Sequence, residues 1–332
     1  MVSRFDSAQK IRVPGGHPLP RPACAIQVRC SNLRGFGGGA YNRGMASLVS
    51  VVAAAVMVLA GAAEVAAFRV TVAPSAVLQG DVALIVVTGA ANAPEMDGSV
   101  AGRPLFFFPY ADGYAALIGV DLEAKPGRTP WRIGFVDGSG VPHKAAGAIT
   151  VKSRKFPVQR LTLPKSMVDL SPANESRAEA EATRLRALYD TISSERLWRG
   201  RFTKPIASDV KSEGFGFRRI INGKPRSPHA GVDYAAPAGT PVVASNRGRV
   251  ALVADHFFGG RLLALDHGEG LYTLYMHLER VDVADGALVE RGGIIGAVGS
   301  TGRATGPHLH WAAQLRRARI DPGALLTIPV GD

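Results

Sequence analysis

Gly306-Pro307-His308-Leu309-His310-Trp311 places two histidines one residue apart. Residues i and i+2 of a β-strand point to the same face, so a strand here would direct both imidazoles into one cavity. Core filling explains this pattern poorly, because each buried imidazole needs a hydrogen-bond partner. A metal ligand beside a histidine that transfers protons explains it well, since imidazole can do both.

Side chains of the same kinds occur in two segments further upstream. His229 and Asp233 stand four residues apart after Pro228, and His277 follows an apolar, strand-like run. On a straight strand the α-carbons of His229 and Asp233 would be ~13 Å apart, which is too far for one ion. Pro228 and Gly231 therefore predict a turn that brings the two side chains together.

Four histidines and one aspartate are enough for a catalytic zinc site. Such a site uses three protein ligands at ~2.0–2.2 Å and leaves one position for water. Zinc lowers the pKa of that water toward ~7, and an imidazole with a similar pKa is a suitable acid or base. The five side chains could thus supply three ligands and two groups that handle protons.

The motifs resemble those of the lysostaphin-type (LytM-like) zinc metallopeptidases, which cleave peptide bonds in bacterial peptidoglycan. Their His-x-x-x-Asp motif is matched at 229–233, and their Tyr-x-His-Leu motif at 275–278. Their His-x-His motif is matched at 308–310, and their Phe-Gly-x-Arg segment at 215–218. Each motif alone is weak, but all four occur in order within roughly residues 205–325.

The resemblance implies a role for each matched residue. His229, Asp233 and His310 become the ligands of one Zn²⁺ per chain. His277 and His308 become the catalytic pair that handles protons and stabilises the transition state. None of the five positions departs from the family pattern.

The resemblance also implies the function, a zinc-dependent endopeptidase that hydrolyses peptide cross-links or stem peptides of peptidoglycan. The alternative is a non-catalytic envelope module that binds the cell wall or activates an amidase. Some relatives that have lost ligands serve only as such activators, whereas the full ligand set here favours the enzyme.

With 332 residues, 46% hydrophobic and 20% charged, the chain is long enough for two globular domains. Short apolar segments separated by turn residues predict a small β-sandwich and, further on, a second β-region. Ser171-Pro172 begins an amphipathic pattern that predicts a helix packed on a neighbouring domain. The predicted fold is therefore all-β: a leader (1–67), a β-sandwich (68–152), a basic helical connector (153–204) and a metallopeptidase domain of two antiparallel sheets (205–332), the last as the resemblance implies.

An apolar run rich in Ala and Val spans residues 46–63, and small residues follow at 65–67. This pattern is typical of a secretory signal cleaved near Ala67, and it predicts export to the periplasm or cell envelope. Since the run is close to spanning length, an uncleaved membrane anchor is the alternative. Cys24 and Cys30 precede the run, so an exported mature chain would have no disulfide, thiolate zinc site or cysteine nucleophile.

The formal charge of +12 lies mostly upstream of the histidine motifs, because residues 205–332 contain 14 Lys/Arg against 12 Asp/Glu. A solvated basic surface is the preferred interpretation over attraction to a polyanionic wall. No nucleic-acid motif occurs, so no nucleic-acid partner is predicted, and the oligomeric state is left open. Of the other histidines, His143 and His256 are predicted at the surface, and His267 in a tight turn with a structural hydrogen bond.

Overall fold

The structure is a computed structural model that describes residues 68–90, 93, 95–165, 168–206, 209–210, 212–328 and 330. All of them belong to one compact unit, residues 64–332. The predicted secretory signal or anchor, at 46–63, lies outside the described residues, as do both cysteines. Neither of the two helices in the described part is long and apolar enough to cross a membrane.

Nine strands form a β-sandwich, as the sequence predicts. They are β1 (Arg69–Ala73), β2 (Ala76–Leu78), β3 (Val82–Thr88), β4 (Met96–Val100), β5 (Arg103–Pro104), β6 (Phe108–Tyr110), β7 (Gly113–Gly119), β8 (Gly127–Val136) and β9 (Pro142–Lys152). One sheet has the order β1-β3-β7-β6, and the other has the order β2-β9-β8-β4-β5. Alternate residues of β8, such as Trp131 and Ile133, are buried against Ile85 and Ile118 of the first sheet, which is the period expected of a strand with one buried face.

The connector contributes one strand, β10 (Val158–Leu161), and one helix, α1 (Pro172–Asp190). Ser171 caps the helix by accepting a hydrogen bond from the backbone N–H of Asn174, and proline occupies the first turn. Near the end of the helix, Tyr189 is buried and makes an edge contact with Tyr272, with 5.7 Å between ring centroids. The helix therefore packs on the downstream β-region, as its amphipathic pattern predicts.

Twelve strands and a short helix follow. They are β11 (Ser212–Glu213), β12 (Arg218–Ile221), β13 (Lys224–Pro225), β14 (Gly231–Ala235), β15 (Pro241–Val243), β16 (Gly248–His256), β17 (Gly260–Asp266), β18 (Leu271–Val281), β19 (Leu288–Val289), β20 (Ile294–Val298), β21 (His308–Leu315), β22 (Ala318–Ile320) and α2 (Pro322–Leu325). Ten of these strands form one antiparallel sheet, in which β11-β14-β21-β18-β17-β16-β19 are successive neighbours. A small second sheet has the order β10-β12-β13, and its β10–β12 pair is parallel. The all-β prediction is confirmed, and a strand of the connector completes the smaller sheet.

Three adjacent strands of the large sheet bring the motif residues together. β21 lies between β14 and β18, and His310 is directly opposite both Asp233 and Met276. His277 directly follows Met276 in the chain. The fold thus places residues from three distant segments side by side across three paired strands.

The sandwich and the large sheet share a hydrophobic core. Leu84 and Leu117, from the sandwich, are buried in the same cluster as Leu315 and Ile320 of the large sheet. Trp198 is fully buried in this cluster and makes an edge contact with Phe108, at 5.3 Å between ring centroids. Residues on both sides of the connector therefore stabilise one another.

Candidate metal centre and groove

The side chains of His229, Asp233 and His310 converge, as the resemblance implies. His310 Nδ1 lies 2.8 Å from Asp233 Oδ1 and 2.8 Å from His229 Nε2. His229 Nε2 lies 3.2 Å from Asp233 Oδ1. These three residues form a group that could hold a metal ion.

The donor set fits zinc. Ligands at ~2.0–2.2 Å in a tetrahedron are separated by roughly 3.3–3.6 Å, and the three separations of 2.8–3.2 Å are shorter than this by less than about 1 Å. Two imidazoles and one carboxylate are also ligand types that zinc accepts. An ion held by these three donors would have one tetrahedral position left for water, as in catalytic rather than structural zinc sites.

Two glycines allow the imidazoles to take these positions. His229 Nδ1–H donates to the carbonyl of Gly214 at 2.9 Å, which leaves Nε2 free to point into the group. A β-carbon at Gly214 would lie 2.6 Å from His229 Nδ1, and one at Gly231 would lie 2.7 Å from His310 Nε2. Any larger residue at either position would displace a predicted ligand.

The electrostatics of the group favour an ionised Asp233 and a neutral His310. Burial alone would raise the pKa of Asp233, but its contacts with His229 and His310 outweigh burial and hold that pKa well below its usual range. Burial lowers the pKa of His310. A carboxylate and neutral imidazoles are the protonation states in which these side chains bind a metal.

His277 and His308 lie beside this group, with their ring centroids 4.6 Å apart. His308 Nδ1–H donates to the carbonyl of Gly306 at 2.8 Å, and its Nε2 lies 4.0 Å from Asp233 Oδ1. His308 and His310 therefore share one strand face, as their spacing predicts.

The backbone holds His277 in an unusual conformation. It has φ of 63°, in the left-handed region, where β18 becomes irregular beside its neighbours. Its Nδ1–H donates to the carbonyl of Thr301 at 2.8 Å, and this hydrogen bond does not involve Nε2. Burial lowers the pKa of His277 to about 4. A non-glycine residue with positive φ stores backbone strain, which the contacts around His277 must offset.

A groove of about 210 Å³ runs past these histidines. Besides Asp233, His277, His308 and His310, its lining includes Gln159, Leu161, Arg219, Ile221, Phe258 and Arg303. A larger cavity, of about 440 Å³, lies beside Leu105, Asp121 and Arg316 and contains none of the five predicted site residues. The chemistry of the group, rather than cavity size, identifies the smaller groove as the candidate site.

Sequence reasoning missed the residues that form the wall of the groove. Gln159 and Leu161 lie on β10, and Arg219 and Ile221 lie opposite them on β12. Alternation along β12 gives Arg219 and Ile221 the same face, a signal present in the sequence once the strand is known. The glycine-rich segment 299–306 contributes Arg303 and Thr305 to the groove.

Two local predictions are wrong. Gly231 is not part of a turn but the first residue of β14, and the segment before it is held by a hydrogen bond from His229 N–H to the carbonyl of Phe217. His256, predicted at the surface, is buried. Helix α1 covers this end of β16, where Glu181 accepts a hydrogen bond from the backbone N–H of Phe257 at 2.8 Å.

The remaining histidines of the described residues, His143 and His267, have structural contacts. His267 is fully buried between the carbonyl of Arg247, at 2.8 Å, and the hydroxyl of Thr273, at 2.7 Å, so its predicted structural role is confirmed. His143 is half-buried, stacked on Phe135 with 4.8 Å between ring centroids. Neither lines the groove.

The model of peptidase family M23 matches residues 227–322. A crystal structure named as a peptidase M23 from Pseudomonas aeruginosa is similar over 75% of this chain and 94% of its own, with 30% sequence identity and a TM-score of 0.57. The chain belongs to peptidase family M23. Because 75% of the chain is far more than residues 227–322, the likeness includes strands upstream of the matched segment.

Two curated relatives of this M23 peptidase are similar over shorter segments. The peptidoglycan DD-endopeptidase ShyB of Vibrio cholerae is 42% identical over 94 residues, which is 28% of this chain and 22% of ShyB. The DD-carboxypeptidase/endopeptidase Mpg of Neisseria meningitidis is 45% identical over 119 residues, which is 36% of this chain and 27% of Mpg. The chain thus spans about a quarter of the length of the curated relatives it matches.

Proposed function

We propose that this M23 peptidase is a zinc-dependent endopeptidase that hydrolyses peptide cross-links or stem peptides of bacterial peptidoglycan. The observation that carries the proposal is the convergence of His229, Asp233 and His310 within 2.8–3.2 Å of one another, with two further histidines beside them. The substrate class is supported by the two relatives named for peptidoglycan DD-endopeptidase or DD-carboxypeptidase/endopeptidase activity.

One Zn²⁺ per chain would be held by His229 Nε2, Asp233 Oδ1 and His310 Nδ1. When bound there, zinc supplies Lewis acidity, which polarises a carbonyl and acidifies water. The carbonyl of Gly214 fixes the tautomer of His229, so this ring presents a lone pair without rearrangement.

His308 and His277 are proposed to handle protons. Each donates Nδ1–H to a backbone carbonyl, so each neutral ring has its lone pair on Nε2. A neutral ring can take a proton at that atom, and the protonated ring can then donate to developing negative charge. The burial that lowers the pKa of His277 to about 4 keeps this ring neutral at the start of the reaction.

The proposed location follows from the substrate. Peptidoglycan lies outside the cytoplasmic membrane, so export through the predicted signal or anchor at residues 46–63 is part of the proposal. The non-catalytic alternative is not favoured. All three proposed ligands are present, and His277 and His308 lie beside them.

Metal content and turnover of single variants test the proposal. The purified protein should contain about one zinc per chain, and Asp233→Ala should reduce that content because three ligands are needed. His308→Ala should keep the zinc and lose turnover on a cross-linked wall peptide by roughly 10²–10³-fold. Full zinc content in Asp233→Ala, or wild-type turnover in His308→Ala, would contradict these roles.

A further inference from the structure

Two arginines line the groove beside the candidate metal centre. Arg219 is on β12, with its side chain about one quarter (24%) exposed. Its Nε–H donates to Gln159 Oε1 at 3.3 Å, and its Nη2 lies 3.9 Å from Asp233 Oδ2. This distance is at the outer limit of an ion pair, and Oδ1 of the same carboxylate is already engaged by His229 and His310. The charge of Arg219 is therefore only weakly neutralised.

Arg303 contributes a second positive charge to the groove. Its backbone N–H donates to the carbonyl of Phe258 at 3.0 Å, and its guanidinium lies over the Phe258 ring, 4.1 Å from the centroid. Among the described residues, no carboxylate forms an ion pair with Arg303. Burial lowers the pKa of Arg303, and the positive charges of Arg219 and Arg226 lower it further.

Partial burial of like charges is unfavourable unless an anion neutralises them. Of the described residues that line the groove, Asp233 is the one carboxylate, and it belongs to the proposed ligand set. The contacts with Gln159 and Phe258 nevertheless hold both guanidinium groups in place. Such fixed forks are suited to a carboxylate, which accepts paired hydrogen bonds from guanidinium.

We propose that Arg303 and Arg219 bind a free carboxylate of the substrate peptide close to the bond that is cleaved. The inference rests on the proposed function and names a feature of its substrate. The groove holds both arginines and the candidate metal centre in about 210 Å³. Arg219 Nη2 lies 3.9 Å from Asp233 Oδ2. Because an extended residue spans ~3.3–3.6 Å, a carboxylate held there would lie about one residue from the cleaved bond.

Paired substrates test the proposal. One is a dimeric muropeptide with a free carboxylate on the residue beside the cross-link, and the other is the same molecule with that group as a carboxamide. The zinc-loaded full chain should cleave the free acid with a kcat/KM about tenfold to a hundredfold higher, because charge-assisted hydrogen bonds are lost with the amide. In Arg303→Gln, the ratio of kcat/KM for the free acid to kcat/KM for the amide should fall close to one. In Arg303→Lys, part of the preference for the free acid should remain.

Arg218→Gln is the matched control. Arg218 precedes Arg219 on the same strand but is exposed and lies 3.9 Å from Glu123, on the opposite face. This variant removes the same charge and should keep the wild-type ratio. Equal cleavage of the two substrates by the wild type, or an unchanged ratio in Arg303→Gln, would overturn the proposal.

Binding separates this inference from the proposed function. The His308→Ala protein, titrated calorimetrically with each muropeptide, should bind the free acid more tightly than the amide. If the free acid binds more tightly but the wild type cleaves neither substrate, the result would support the anion site and contradict the proposed endopeptidase activity. Equal binding of both would overturn the anion site, whatever the cleavage result.

Discussion

The imidazole of His310 occupies the space that a side chain at position 231 would need. A β-carbon at this position would lie 2.7 Å from His310 Nε2 and 2.6 Å from the carbonyl oxygen of Trp311. Gly231→Ala should lower the free energy of unfolding by ~1–3 kcal/mol through overpacking. Because His310 must move, zinc affinity should also fall, by about tenfold. Denaturant titration and zinc competition with a chelator measure the two effects.

Gly306→Ala is the control for this variant. A β-carbon at Gly306 meets nothing within 4 Å, and the carbonyl that accepts from His308 is retained. Stability and zinc affinity should both stay near the wild type. An equal effect of the two alanines would show that steric contact with His310 is not the cause.

Thr301 helps to position His277 through its backbone carbonyl and its side-chain hydroxyl. Its carbonyl accepts from His277 Nδ1–H, while its hydroxyl accepts from the backbone N–H of Arg261 and donates to the carbonyl of Leu278. Thr301→Val keeps the shape but loses both hydroxyl contacts. We expect kcat to fall by about tenfold with KM and zinc content little changed, since misplacement of a group that handles protons acts on turnover.

Thr301→Ser keeps the hydroxyl and should restore most of the turnover. Steady-state kinetics and metal analysis of the two variants provide the measurement. Wild-type kcat in Thr301→Val would show that the fixed backbone around His277 needs no support from this side chain.

Strand β10 forms a wall of the groove, although it belongs to the segment predicted as a connector. Leu161 faces the groove, whereas Val158 of the same strand is 56% exposed. Leu161→Ala should raise KM severalfold and lower the free energy of unfolding by ~1–2 kcal/mol, because apolar surface is lost from the wall. Val158→Ala should change stability by less than ~0.5 kcal/mol. Equal KM values in the two variants would argue against contact between β10 and the substrate.

The shared core predicts that the sandwich and the large sheet unfold together. Leu117, on β7, is buried in the cluster that contains Leu315 and Ile320. Leu117→Ala should lower stability by ~2–5 kcal/mol, the usual cost of such a cavity. Tryptophan fluorescence and zinc release should then shift to lower denaturant concentration by the same amount. Zinc release at the wild-type midpoint would show that the two parts unfold independently.

The five predicted site residues could be singled out from the sequence because their motifs resemble those of a metallopeptidase family, and zinc chemistry accounts for their types. The wall of the groove could not, since Gln159 and Arg219 are brought together by pairing between segments 60 residues apart. The turn predicted at Gly231 failed for a related reason. That glycine is explained by its close approach to His310 across the sheet, and neighbours in the sequence do not show this contact.

The pairing of β10 with β12 determines which parts of the groove a gene fusion would transfer. The segment recognisable as M23 begins at residue 227, downstream of both strands. A recombination event that joined residues 227 onward to a foreign leader would transfer the complete ligand set but leave Arg219 and its partner strand behind. The third strand of that sheet, β13, would be lost as well. Gene fusions at that boundary should therefore yield proteins that keep the proposed ligands and acquire a new substrate preference from whatever segment replaces this sheet as the wall of the groove.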